Sequence, residues 1–124
     1  MTLLLDTHAL LWWLEGRELA DDVSARIADP STLVAVSAAS IWEAAVKEAL
    51  GKLSTPEPLG SAAVAEGFEP LAVTFEHADR VGRLPAHHRD PFDRMLVAQA
   101  QVEGLTIVTR DPAFDAYEGP IARC

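Results

Sequence analysis

Cysteine is nearly absent: the chain has one among 124 residues, and it is the last, Cys124. An intramolecular disulfide and a thiolate metal cage are therefore both excluded. Bases are scarce as well, ten against nineteen acids, for a formal net charge of -9. Such a surplus opposes general adhesion to nucleic acid or anionic lipid. Long apolar runs are missing too. The longest, "ALLWWL" at 9–14, is far shorter than the roughly 20 residues a membrane span needs, and it lacks the basic start of a signal peptide. No membrane association is expected, and the expected location is cytoplasmic. Neither a solenoid repeat nor a low-complexity tract is visible.

What remains is the composition of a compact protein, 49% hydrophobic and 23% charged, long enough for one core and too short for two. Residues 1–124 are expected to form a single domain. Along the chain, "TLLL" (2–5) reads as a short buried strand, and "THALLWWLEG" as a helix ending near Gly16. A second helix is expected over 21–29, with Val23 and Ile27 on one face and "DP" stopping it. "TLVAVS" (32–37) is the next strand. From Ser40 a helical stripe runs through Ile41, Trp42, Ala45, Val46, Ala49 and Leu50, with Gly51 suited to its C-cap. After a Pro/Gly/Ser connector (54–60), "SAAVAEGF" is expected as a short helix, "PLAVT" (70–74) as a strand and 75–83 as a helix. "DPFDRMLVAQAQVEG" (90–104) reads as a helix, "LTIVT" (105–109) as a fourth strand, and "DPAF" as a last turn before a short "PIA" segment. Alternating helices and strands, with strands apolar throughout, indicate an α/β fold: a mainly parallel sheet covered on both faces.

In such a sheet, ligands bind beyond the carboxyl ends of the strands. Four acids are placed there. Asp6 follows the first strand, Glu43 lies early in the helix after the second, Asp93 stands in the first turn of its helix, and Asp111 is two residues past the fourth strand. Each also has a bland reading as a helix cap: Asp6 before its helix, "SIWE" (40–43) as a capping box, and "DPFD" and "DP" as caps before proline. A cap contributes only about 1 kcal/mol, and capping gives no reason for Glu43 or for Asp93 beside a sufficient Asp90. Gathering such anions is costly unless they protonate, pair with bases or hold a cation. Oxygen-only clusters suit Mg²⁺ or Mn²⁺. Zinc is disfavoured, because His87 and His88 are adjacent and His8 is isolated. The histidine pair reads as part of a solvated loop, and His77 as an ordinary helix-surface residue.

Half of the bases, Arg80, Arg83, Arg89, Arg94 and Arg110, fall between residues 80 and 110, so any polyanion-binding face is local. Arg89, Arg94 and Arg110 are the candidates for phosphate contact, with pairing to the acids as the alternative for each, above all for Arg94 beside Asp93. The uninterrupted apolar run at 9–14 surrounds its helix, which makes Trp12 and Trp13 candidates for a partner interface, with a place in the core alone as the alternative.

"LLLDTHALLWWL", "VSAASIWEAAVKEALGKL", "LPAHHRDPFDRMLVAQA" and "LTIVTRDPAFDAY" together resemble the PIN-domain ribonucleases, specifically the VapC toxins of VapBC-type toxin–antitoxin pairs. The resemblance spans essentially the whole chain in order. It implies a three-layer α/β/α sandwich and a Mg²⁺- or Mn²⁺-dependent endoribonuclease. Asp6, Glu43, Asp93 and Asp111 would be its catalytic metal ligands, with Asp90 and Thr109 standing behind them. It also implies an RNA substrate, a VapB-type antitoxin and a homodimer as partners. Two other classes remain in view: a PIN-fold module that binds RNA without cutting it, and a phosphorelay receiver. The receiver would need a late lysine, and the last lysine here is Lys52.

Overall fold

The computed structural model describes residues 2–124. Five strands, β1 (Leu3–Leu5), β2 (Val34–Ser37), β3 (Glu69–Leu71), β4 (Thr106–Thr109) and β5 (Ile121–Arg123), form one sheet in the order β3-β2-β1-β4-β5. Every pairing among the described residues is parallel. Six α-helices connect them: α1 (Thr7–Leu14), α2 (Asp21–Ala28), α3 (Ala38–Ala49), α4 (Leu59–Ala65), α5 (Phe75–Val81) and α6 (Pro91–Glu103). A 3-10 helix spans Pro112–Ala116.

The sheet is sandwiched, and β1 shows why its strands are apolar without alternation. Leu3 and Leu5 face a core built with Leu10, Val23, Ile27, Ala44, Leu59 and Ala63, from α1 to α4. Leu4 faces the other way, into a core with Leu96, Val97, Ala100, Ile107 and Phe114. All three leucines are fully buried, each contributing about 2 kcal/mol of apolar transfer. The expected three-layer α/β/α architecture is the one observed.

The strand order also places a mouth. From β1 the chain moves outward through β2 to β3, then returns to lay β4 on β1's other side. The connections after β1 and β4 therefore diverge, and a crevice opens beyond the carboxyl ends of those two strands.

Several expectations are corrected in detail. α3 begins at Ala38 and not at Ser40, because the Ser37 hydroxyl caps it by accepting the Ala39 N–H at 3.0 Å. The third strand is Glu69–Leu71 and not 70–74, since Thr74 is taken as the N-cap of α5. The C-terminal segment is a true fifth strand, registered Val108↔Ala122 on β4. His77 is fully buried and not a surface residue. Its Nδ1 accepts the Thr74 N–H at 3.1 Å, and its Nε2 lies 3.0 Å from Glu103 Oε1, so it stitches α5 to α6. Gly104 ends α6 in the left-handed conformation (φ 69°) that glycine adopts without a Cβ penalty.

Candidate metal centre

Asp6 stands at the end of β1 with both carboxylate oxygens engaged. Oδ1 accepts the Ala9 N–H at 2.7 Å and so caps α1, while Oδ2 accepts the Thr109 hydroxyl at 2.6 Å. The backbone N–H of Asp6 donates to the Val108 carbonyl, so strand pairing itself sets the residue at the crevice. Capping and a place in the site are thus compatible for Asp6. Burial raises its pKa above the ordinary carboxylate value despite these bonds, and the charge of Glu43 adds to the rise.

Glu43 is not a cap. With α3 starting at Ala38, it lies in the second turn, buried, and Ser40 Oγ has no hydrogen-bond partner. Glu43 Oε1 accepts the buried Thr7 hydroxyl and Oε2 accepts Lys47 Nζ, both at 2.6 Å. Thr7 is adjacent to Asp6, so the first two acids are linked through neighbouring residues. The Lys47 pKa is raised, chiefly by the hydrogen bond to Glu43 and further by the charges of Glu43, Asp90 and Asp93. Lys47 is therefore the nearby cation, one turn beyond Glu43 on the same face.

Asp90 caps α6, its Oδ1 accepting the N–H groups of Phe92 (2.8 Å) and Asp93 (3.2 Å). This leaves Asp93 free of capping duty. Its Oδ2 lies 2.8 Å from His88 Nε2. Burial is the main cause that pushes the Asp93 pKa up to about 6; the His88 hydrogen bond opposes the shift, and Asp90 and Glu43 add to it. Asp111 caps the 3-10 helix through Oδ1 and the Ala113 N–H at 2.9 Å, and is exposed. The Asp111 N–H donates at 3.0 Å to Thr109 Oγ1, the same hydroxyl that donates to Asp6. Ligand atoms of His88, Asp93 and Asp111 all lie within 4.8 Å of one another. The four expected acids are thereby connected: Glu43 to Asp6 through Thr7, Asp6 to Asp111 through Thr109, and Asp111 to Asp93 by proximity.

Three residues of this site lie outside the expected set: Thr7, Lys47 and His88. Lys47 follows Glu43 at i+4, a spacing visible in the sequence. The placement of His88 depends on the 82–90 loop and left no periodic trace.

The arginines divide. Arg89 is exposed beside His88. Arg110 sits 4.3 Å over the Trp12 ring and donates to the Glu18 carbonyl at 2.8 Å. Arg94 is turned away from the acids: its guanidinium donates to the carbonyls of Val81, Leu84 and Pro85 and to the Tyr117 hydroxyl. It binds the C-terminal end of α5 to α6, so its donors are occupied within the protein. Trp12 and Trp13 are half-buried against the core. Larger apolar exposure lies on α3, where Trp42 (64% exposed), Val46 and Leu50 follow at i, i+4, i+8 and Trp42 meets Phe92 edge to face at 4.8 Å.

The donor set fits a hard divalent cation. Among the described residues the ligand atoms that come together are those of His88, Asp93 and Asp111. Asp6 and Glu43 lie outside that group and reach it through Thr109 and through the charge of Glu43 on Asp93. One nearby lysine supplies less positive charge than these acids carry.

Comparisons with known proteins bear on the family and the fold. The family model described as PIN domain matches residues 3–120. A search of curated proteins gave no match. Among solved structures, the chain is similar to one in VapBC2 from Rickettsia felis bound to a promoter DNA fragment. That match has a TM-score of 0.76 and 14% identity, covering 100% of this chain and 99% of the other. DNA-bound VapBC from Salmonella typhimurium gives a TM-score of 0.70 and 21% identity over 99% and 98% of the two chains. VapBC-5 from Mycobacterium tuberculosis gives 0.59 and 20% over 98% and 96%.

Proposed function

Because this chain belongs to the PIN-domain family, we propose that it is a Mg²⁺- or Mn²⁺-dependent endoribonuclease, the toxin of a VapBC-type toxin–antitoxin pair. The whole chain is read as one PIN domain. The observation that carries the reading is the linked set Asp6, Glu43, Asp93 and Asp111 at the crevice between β1 and β4, with Asp6 and Asp93 raised in pKa by burial.

These four acids would hold the cation, Asp6 and Asp93 as principal ligands and Glu43 and Asp111 directly or through water. When bound, a divalent ion lowers the pKa of its water and offsets charge on the phosphoryl oxygens and the leaving alkoxide. The chain's own residues do the rest. Thr109 holds Asp6 Oδ2 in place and Thr7 holds Glu43 Oε1, which fixes the carboxylates before any ligand arrives. Asp90 stands behind, satisfying the first N–H groups of α6 so that Asp93 can face the crevice. Arg89 and Arg110 are the bases proposed to meet flanking phosphates of an RNA strand. Arg94, with its donors on backbone carbonyls, is left out of that role.

The proposed partners are RNA, a VapB-type antitoxin and a second copy of the chain, in the cytoplasm. The apolar stripe of Trp42, Val46 and Leu50, together with the half-buried Trp12 and Trp13, offers such partners a surface. No helix among the described residues is long and apolar enough to cross a membrane.

The test is incubation of purified protein with RNA in the presence of Mg²⁺, Mn²⁺ or a chelator, beside induction in bacteria of wild type, Asp6→Asn and Asp93→Asn. Cleavage and growth arrest confined to metal-loaded wild type support the reading. RNA retention without cleavage would instead identify a binding module, and equal toxicity from all three chains would end the nuclease proposal.

A further inference from the structure

We propose that His88 is a positioning residue of the metal centre: its imidazole fixes the Asp93 carboxylate by donating Nε2–H to Oδ2, leaving the other oxygen of Asp93 for the cation. The inference rests on the metal-dependent reading above and adds to it a residue that lies outside the acidic quartet.

Three constraints hold the ring. The backbone N–H of His88 donates to the Tyr117 hydroxyl at 2.9 Å. The ring lies edge-on to the buried Phe114, with centroids 6.3 Å apart. Nδ1 accepts the N–H of the next residue, Arg89, at 3.1 Å. This last contact decides the tautomer. A nitrogen that accepts a hydrogen bond carries no proton, so in the neutral ring the proton sits on Nε2, which points at Asp93 Oδ2 from 2.8 Å.

The same argument separates two roles for His88. One of its ring nitrogens lies within 4.8 Å of ligand atoms of Asp93 and Asp111, close enough for direct coordination. Yet a metal-bound Nε2 would have to shed its proton and abandon Asp93, and Nδ1 would lose its acceptor role toward Arg89 if it took up that proton. Donation to the carboxylate keeps all three contacts. Asp93 stands at the third position of α6, and its own helix supplies nothing that orients its side chain, because Asp90 already takes the local N–H groups. A donor from the preceding loop is what selects its rotamer. Partners of this kind behind a ligand typically change metal affinity or activity by about 10–100-fold when removed.

The test is titration of the full chain with Mn²⁺, reading free ion by its electron paramagnetic resonance signal and the fold by circular dichroism melting. His88→Ala is expected to bind Mn²⁺ about tenfold more weakly while retaining a cooperative melt. His88→Gln, whose amide offers an N–H in the same direction, should recover most of that loss. Tyr117→Phe, which leaves both rings in place but frees the loop, should weaken binding by about threefold and keeps the question answerable should the alanine variant not fold. Affinity unchanged in His88→Ala, or no recovery in His88→Gln, would overturn the proposal. Nitrogen hyperfine coupling of direct-ligand size in the bound Mn²⁺ spectrum would overturn it in favour of coordination. Asp93→Asn serves as the reference: if wild type binds no Mn²⁺, or Asp93→Asn binds as tightly as wild type, the metal centre itself has failed, a result distinct from failure at His88 alone.

Discussion

Two buried polar regions of this molecule contrast in how they balance charge. Along the α5–α6 seam the charged and ring donors are met by acceptors: Arg94 reaches three backbone carbonyls and the Tyr117 hydroxyl, and His77 lies between the Thr74 N–H and Glu103, although the buried Gln99 Oε1 beside it has no partner among the described residues. At the crevice, Asp6, Glu43 and Asp93 also accept hydrogen bonds, but from hydroxyls, an imidazole, backbone N–H and a single lysine, so negative charge is left over. Hydrogen-bond satisfaction alone therefore does not distinguish a structural polar cluster from a functional one. Buried carboxyl groups with surplus acids beside them do: burial first, and the neighbouring acids after it, raise the pKa values of Asp6 and Asp93.

The sharpest break in that comparison comes from neutralising the crevice. Asp6→Asn or Asp93→Asn should lower metal-dependent RNA cleavage by at least about a hundredfold, on the scale of losing a principal electrostatic group, and should raise or preserve the melting temperature of the metal-free chain. A variant that loses stability in step with activity would place these acids with the structural seam. The seam should behave in the opposite way. Arg94→Met is expected to cost about 3 kcal/mol in urea denaturation, because several carbonyls at the end of α5 lose a charged donor. The folded fraction should keep cleaving RNA, and normal stability with lost activity would return Arg94 to the phosphate contacts. His77→Phe should cost about 2 kcal/mol by leaving the Thr74 N–H and the Glu103 side chain without their partner, with no change in Mn²⁺ affinity.

Smaller effects sharpen the contrast from the side of charge. Lys47→Met removes the competing cation, so Mn²⁺ should bind about threefold more tightly, whereas weaker binding would make Lys47 part of the ligand-holding structure. The pH response is the gentlest test. Asp93, raised to about 6, holds its proton in the folded state between pH 4 and 6 while the unfolded chain does not. Metal-free stability should therefore fall as pH rises through that window. Mn²⁺ affinity should rise over the same range, as proton and metal compete for one carboxylate. A metal-free stability that climbs from pH 4 to 6 would show Asp93 to be adequately paired, like the seam.

Much of this arrangement was legible in the sequence, and the remainder depended on contacts far apart in the chain. The first strand, the long sixth helix and the fourth strand carry strong local signals: an apolar run ending in Asp6, a proline-started helix closed by Gly104, and a run ending in Thr109. Those same signals place the acids, because a carboxylate just past a strand or in the first helical turn has its position set by local geometry. The start of α3 reads as Ser40 because "SIWE" suits a capping box, whereas in the structure Ser37, the last residue of β2, accepts the N–H and Ser40 Oγ is buried without a partner among the described residues. His77 sits among Glu76, Asp79 and Arg80 and reads as polar surface. What pairs with it is Glu103, 26 residues away on α6. The last strand is three residues long and exists through its register on β4, which no local pattern announces. Arg94, one residue from Asp93, looked like a partner for acid or phosphate, but helical rotation sends neighbouring side chains in different directions.

The hydroxyl of Thr109 meets Asp6 across 103 positions of chain. The hydroxyl that secures the first acid, the strand that docks beside it and the fourth acid all come from the same distant stretch, Thr106 to Asp111. A fragment that stops before β4 therefore lacks the finished crevice, however well its first strand has formed.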